Sequence, residues 1–218
     1  WKAGHAHFDA VETTIVGDAT ARQQALMTDQ VDCIDDVSAP TAQLLNRNPN
    51  IDVLAITGTT HRVFVMRLDT PPFDNNDVRL AIKYAAKRQE MVDKVLLGYG
   101  QIGNDHSISP TQKYFNTDLA QREFDAERAR FHWKKTGIGD KPVVVHASGA
   151  SLDGSVDVAL LLQASAKECG INLEVKKEPN DGYWSNVWNK PGVGMCTSYW
   201  SGRPTPDWMF STCCIAAS

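Results

Sequence analysis

Pro72-Phe73-Asp74-Asn75-Asn76-Asp77-Val78-Arg79-Leu80-Ala81-Ile82-Lys83-Tyr84-Ala85 opens the longest helical pattern in the chain. Asp77 starts the helix, and Val78, Ile82, Tyr84, Ala85, Met91, Val92, Val95 and Leu96 fall largely on one face. Gly98 ends it. An apolar stripe of that length must be buried against another layer, so the segments on either side determine the fold class.

Downstream, residues 98–124 hold Gly, Asn, Asp, Ser and Pro without a period, a long loop of the kind that often carries function. Asp125 then caps a helix running to Thr136-Gly137. Pro142 to His146 reads as a strand, Gly154 to Cys169 as a helix ended by Gly170, and Ile171 to Lys176 as a strand. Tyr183 to Trp188 reads as a short helix and Val193 to Trp200 as a last strand. Upstream, Val63 to Leu68 reads as a strand, and 69–73 as a loop. Before it, strands at Val11–Val16, Val31–Asp35 and Ile51–Ile56 alternate with helices opened by Asp18-Ala19-Thr20 and Ser38-Ala39-Pro40. Alternation with short links predicts an α/β fold with a mainly parallel sheet. Thr57-Gly58-Thr59-Thr60 breaks the alternation between the two parts of the chain.

The chain has 218 residues, a net charge of −4 and a pI near 5.8, against the clustered Lys and Arg of a nucleic-acid surface. Lys and Arg along 83–94 and 122–135 alternate with acids as solvated helical faces. No apolar run approaches the roughly 20 residues of a membrane span. The chain starts at Trp1 without Met or a signal peptide and reads as a fragment of a longer protein. Five cysteines at irregular spacing do not make a disulfide framework. Cys33, Cys169 and Cys196 are expected as buried free thiols, and Cys213-Cys214 as two unpaired thiols near the chain end, with a vicinal disulfide or a soft-metal pair as the alternatives. No metal-like Cys/His spacing exists.

Tyr199-Trp200-Ser201-Gly202-Arg203-Pro204-Thr205-Pro206-Asp207-Trp208-Met209-Phe210 is rich in rings around one cation. The prolines predict a loop here, with Asp207 capping a short helix at 208–210. Flat rings and a guanidinium suit capture of a small polar or anionic molecule.

Several segments together resemble one family, the extracellular solute-binding proteins of the peptide- and nickel-binding type (family 5) that feed bacterial ABC transporters. Pro72 to Ala85, followed by Arg88-Gln89, is similar to the signature P-F-x-D-x-x-V-R-x-A-I-x-Y-A. Asp18-Ala19-Thr20-Ala21-Arg22 with Gln30-Val31-Asp32 resembles D-x-T-x-R … G-x-V-D, and Asp29-Gln30 stands where that family usually has a Gly. Asp125-Ala126-Glu127-Arg128-Ala129 resembles its D-x-E-K-A helix start, and Cys169-Gly170-Ile171 its x-G-I turn. The resemblance covers essentially the whole chain. It implies a periplasmic-binding-protein-like clamshell of two α/β lobes around a buried ligand. Residues 1–60 would be the end of the first lobe and 61–218 most of the second, incomplete at its C-terminal end.

The candidate ligand-binding residues are Arg203, Trp200, Tyr199, Ser201, Trp184, Asn104, Asp105, His106, Asp153, Gly154 and Ser155. Parallel strands after 141, 171 and 193 would put the loops at 149–155 and 200–206 side by side beyond their carboxyl ends, where α/β sheets hold ligands. The resemblance adds the loop at 101–107. Each candidate has a plainer role: Arg203 as a solvated surface charge, the tryptophans as core, Asn104-Asp105-His106 as a turn, and Asp153 or Ser155 as a helix cap. Arg203 lies where peptide-binding relatives often carry an acidic residue, so a carboxylate or phosphate on the solute is expected.

The leading reading is a non-catalytic, periplasmic receptor that captures a small-molecule or peptide-like solute by lobe closure and delivers it to a membrane ABC permease, with no cofactor and no nucleic-acid partner. The alternatives are the ligand-sensing lobe of a transcriptional regulator, or a hydrolase using Asp105 and His106. The last has no G-x-S-x-G elbow, zinc pattern or phosphate loop behind it.

Overall fold

In a computed structural model that describes residue 4 and residues 7–56, 58–201 and 205–213, the sheet is built entirely from the second part of the chain. Its strands are β1 (His61–Met66), β2 (Val143–Ala147), β3 (Leu173–Lys177) and β4 (Met195–Trp200), in the order β1-β4-β2-β3. β2 runs parallel to β3 and to β4, as the sequence predicts, and β1 closes the edge antiparallel to β4.

The helices are α1 (Ala19–Met27), α2 (Ala39–Leu45), α3 (Asn76–Ala85), α4 (Arg88–Val95), α5 (Ala126–Thr136), α6 (Ser155–Glu168), α7 (Tyr183–Asn186) and α8 (Pro206–Cys213). The caps are those the sequence announces. Asp18, Ser38 and Asp125 accept from the backbone N–H groups of Ala21, Thr41 and Arg128. Asp125→Ala therefore should destabilise the protein by about 1 kcal/mol, read as a lower denaturant midpoint; an unchanged midpoint would remove the capping role.

One long helix is expected from 77 to 97, but the structure has two. Ala86 is extended (ψ 114°), and the carbonyls freed at the end of α3 find one local side-chain donor and one donor from a distant segment. Arg88 Nη1 donates to Lys83 O at 3.1 Å, and Asp125 N–H donates to Tyr84 O at 3.0 Å. α8 is a second correction: Pro206 opens this helix in a first-turn position rather than excluding it. Asp207 lies inside the first turn, and Thr205 Oγ1 accepts from the Trp208 N–H at 3.4 Å.

The strands expected at 11–16, 31–35 and 51–56 are absent among the described residues. A strand requires a neighbour for its N–H and C=O groups, and no segment pairs with these. Val11, Ile15, Leu54 and Ile56 are all largely exposed. The region is organised instead by Arg22, which donates to Val16 O at 2.8 Å, Gly17 O at 3.2 Å and Asp36 O at 3.4 Å. Asn46 Nδ2 donates to Tyr99 Oη at 2.9 Å, tying the end of α2 to the turn after α4.

The main core lies between one sheet face and the helices α3, α5 and α6, around Phe73, Val78, Ile82, Trp133, Val145, Leu162, Ile171 and Met195. Each such side chain contributes roughly 1.5–3 kcal/mol by leaving water. A smaller cluster of Tyr183, Val187 and Cys196 with Val65, Trp188 and Val193 covers the other face.

Cys33, Cys169 and Cys196 are free, as expected, but Cys33 is exposed, because the strand that would have given it an inward face does not form. Burial raises the Cys169 thiol and pushes the Cys196 thiol up to about 11. Brief iodoacetamide treatment of the native protein should alkylate Cys33 and leave Cys169 and Cys196 unmodified on peptide mapping. Equal labelling of all three would show this packing to be wrong.

Candidate functional site

The carboxyl ends of β2 and β4 lie side by side, His146 facing Cys196, and β4 continues beyond to Tyr199 and Trp200. Because β1 is antiparallel, its first residues arrive at the same edge: His61 pairs with Trp200 and Arg62 with Tyr199. The loop leaving β2 turns sharply into α6 through a single 3-10 turn at Gly149–Ser151. Leu152 and Gly154 both take positive φ, 116° and 77°. Gly154 has no room for a side chain, since a Cβ there would stand 2.6 Å from Val95 Cγ1 at the end of α4.

A buried polar network locks this loop. Ser151 Oγ and Thr197 Oγ1 are 2.7 Å apart, and Ser148 N–H donates to Thr197 Oγ1 at 3.4 Å. Tyr183 Oη donates to Thr197 O at 2.7 Å, and Ser148 Oγ and Ala150 N–H both donate to Asn180 Oδ1. Burial pushes the Tyr183 phenol up to about 12, so it remains a donor at neutral pH.

Above the network is an aromatic wall. Trp184 meets Tyr183, Trp188 and Tyr199 edge to face, with centroids 5.5, 6.0 and 5.9 Å apart, and Trp188 meets Trp200 at 6.1 Å. Such pairs are attractive beyond the area they bury. Trp184 remains exposed.

Of the candidates, Tyr199, Trp200, Trp184 and the start of α6 at Asp153, Gly154 and Ser155 thus belong to one edge. Neither Asp153 nor Ser155 caps α6; Gly154 holds the N-cap position and no side chain bonds there. Ser201 follows β4 and is exposed. Arg203, with Gly202 and Pro204, lies outside the described residues.

Asn104, Asp105 and His106 are engaged elsewhere. Asn104 is buried, with Oδ1 accepting from Arg122 N–H at 2.8 Å and Nδ2 donating to Ala120 O at 3.4 Å. Asp105 binds Arg122 Nε at 2.8 Å and Arg88 Nη2 at 3.1 Å. Both residues have positive φ, a turn conformation. His106 packs on Phe115 at 6.0 Å. The pairing with Arg88 holds this turn at the first residue of α4, about 10 Å along the helix from the Val95 end that meets Gly154.

Sequence reasoning missed Arg62, which donates through Nη1 to Ser155 Oγ at 3.2 Å. Burial lowers its pKa, opposed by the nearby carboxylates of Asp153 and Asp36. The signal was an arginine at an inward position of β1, in step with Phe64 and Met66.

The family model for bacterial extracellular solute-binding proteins, family 5 Middle, matches residues 1–215. The chain belongs to that family. Among its family 5 relatives, the glutathione-binding protein GsiB of Escherichia coli K12 is 30% identical over 216 residues, which is 97% of this chain and 42% of that protein. Di/tripeptide-binding protein 1 of Pseudomonas aeruginosa is 25% identical over 140 residues, 64% of this chain and 26% of the relative. The chain therefore spans well under half the length of these relatives. Among solved structures, the dipeptide-binding protein of Pseudoalteromonas sp. SM9913 in complex with Met-Leu superposes with a TM-score of 0.76 at 20% identity, covering 90% of this chain and 39% of that one. NikZ from Campylobacter jejuni in complex with Ni(L-His) gives 0.71 at 17% identity, covering 89% and 40%. The α/β, periplasmic-binding-protein-like fold of the family 5 proteins is thus the fold of this chain.

Proposed function

We propose that this chain is part of the substrate-binding component of an ABC importer, residues 1–60 ending its first lobe and 61–218 forming most of its second. The whole protein captures a small peptide-like or anionic solute between the lobes in the periplasm and delivers it to the membrane permease. The observation that carries this reading is the aromatic wall of Trp184, Tyr199 and Trp200 beside the start of α6, at the carboxyl edge of parallel strands. The relatives named for glutathione, di- and tripeptides and Met-Leu support solutes of amino-acid and short-peptide chemistry. In this reading Trp184, Tyr199, Trp200 and Ser201, with Asp153, Gly154 and Ser155, form the second-lobe wall, and the Arg203 side chain is a further solute ligand. Asn104, Asp105 and His106 brace the lobe behind it.

Native mass spectrometry of the full-length protein against glutathione and a set of di- and tripeptides tests this. One adduct per protein with at least one of them, lost on denaturation, is the expected result. No adduct across the set contradicts the reading.

A further inference from the structure

Arg62 stands at the wall with most of its hydrogen-bonding capacity unspent among the described residues. A guanidinium carries five N–H donors, and among the described residues its side-chain hydrogen bond goes to the neutral hydroxyl of Ser155. Asp153 and Asp36 are close enough to act on its charge, yet among the described residues no carboxylate stands within ion-pair distance. Its cross-strand partner is Tyr199, and opposed residues of an antiparallel pair project from the same face. The guanidinium and the Tyr199 ring therefore rise together at the carboxyl edge, where Ser155, itself buried, fixes one arm of the fork. A partly buried cation without an anionic partner is costly, and an incoming anion relieves that cost.

We infer that Arg62 receives the carboxylate of the solute, gripping it with the free arms of its fork beside Tyr199, while Ser155 positions the guanidinium. This rests on the solute-capture reading and adds to it a specificity-determining residue. A planar fork matches a carboxylate in a way that an ammonium does not, so Arg62→Lys is not a conservative change here. The competing occupant is the chain's own Asp153 or Asp36, which would make Arg62 an internal ion-pair partner.

The test is calorimetric titration of the full-length protein and its Arg62→Gln variant with dialanine, trialanine and Met-Leu, each as the free acid and as the C-terminal amide. The free acid that binds wild type best should lose tenfold or more on Arg62→Gln. Its amide should bind wild type weakly and the variant about equally. Arg62→Lys should recover only part of the loss. Should Arg62→Gln fail to fold, Ser155→Ala should weaken acid binding several-fold more than amide binding. Equal losses for acid and amide, or unchanged affinity, would assign Arg62 to Asp153 or Asp36 and overturn the inference while leaving solute capture standing. Wild-type protein that binds none of the six probes contradicts solute capture itself, and the role of Arg62 falls with it.

Discussion

Leu162→Ala should cost the full-length protein about 2–5 kcal/mol and lower its denaturant midpoint accordingly. Leu162 is 1% exposed on the inner face of α6, within the cluster that also holds Ile82, Trp133, Val145 and Met195. Its helix packs against the sheet and against α3 and α4, so the cavity left by three deleted carbons cannot readily collapse in this close-packed core. The exposed neighbour Leu160, on the same helix, provides the control. Leu160→Ala should change stability by less than about 0.5 kcal/mol. Similar effects at the two positions would show that α6 does not pack as described.

The second large effect belongs to Thr197. Its hydroxyl is the acceptor for the Ser148 N–H and stands within hydrogen-bond distance of Ser151 Oγ and Tyr183 Oη, all in a buried site. Thr197→Val keeps the shape and deletes that group, leaving the Ser148 N–H without an acceptor. The cost of such an orphaned donor is about 1–3 kcal/mol. The loss should be local as well as global, because the network anchors the loop from β2 to α6. Amide exchange at residues 148–152 should accelerate more than exchange in β3. Tyr183→Phe should do less harm, since it removes a donor while Thr197 Oγ1 stays in place. A valine variant as stable as wild type, with an unchanged loop, would show that the network does not fix the site.

The elements from residue 61 to residue 200 were legible because each carries its own local signal. Asp125 begins α5, Gly137 ends it with φ 70°, and the apolar alternation of β2 points Val143, Val145 and Ala147 inward. The signature segment was legible for a reason visible in the structure. Arg79 binds Phe73 O at 2.6 Å, Asp74 O at 3.1 Å and Asn76 Oδ1 at 2.9 Å, so this arginine builds the turn that its own segment opens. What failed depended on partners outside the segment's own pattern. The segments 11–16 and 51–56 have strand-like residues, but β structure exists only as a pair. The break at Ala86 follows from donors that Arg88 and Asp125 bring to the end of α3, which helical periodicity does not register.

The candidate site was legible only in its strand order. The parallel order of β2 and β4 followed from the α/β alternation, and with it the adjacency of their loops. Polar loop composition drew attention to Asn104 and Asp105, and the same residue types serve as well for turns and ion pairs, which is how both are used here. Arg62 was passed over because the strand was read as beginning at Val63, one residue beyond it, whereas β1 begins at His61. Its role emerges from the antiparallel pairing that sets it beside Tyr199.

The central claim is that solute binds at the carboxyl edge of this sheet. Hydrogen–deuterium exchange of the full-length protein, with and without a saturating solute, tests it most directly. Protection should appear in peptides covering residues 148–156, 183–188 and 199–201, with the Asn104–His106 turn unchanged. Protection confined to other surfaces, with these three segments exchanging as in the free protein, would contradict it.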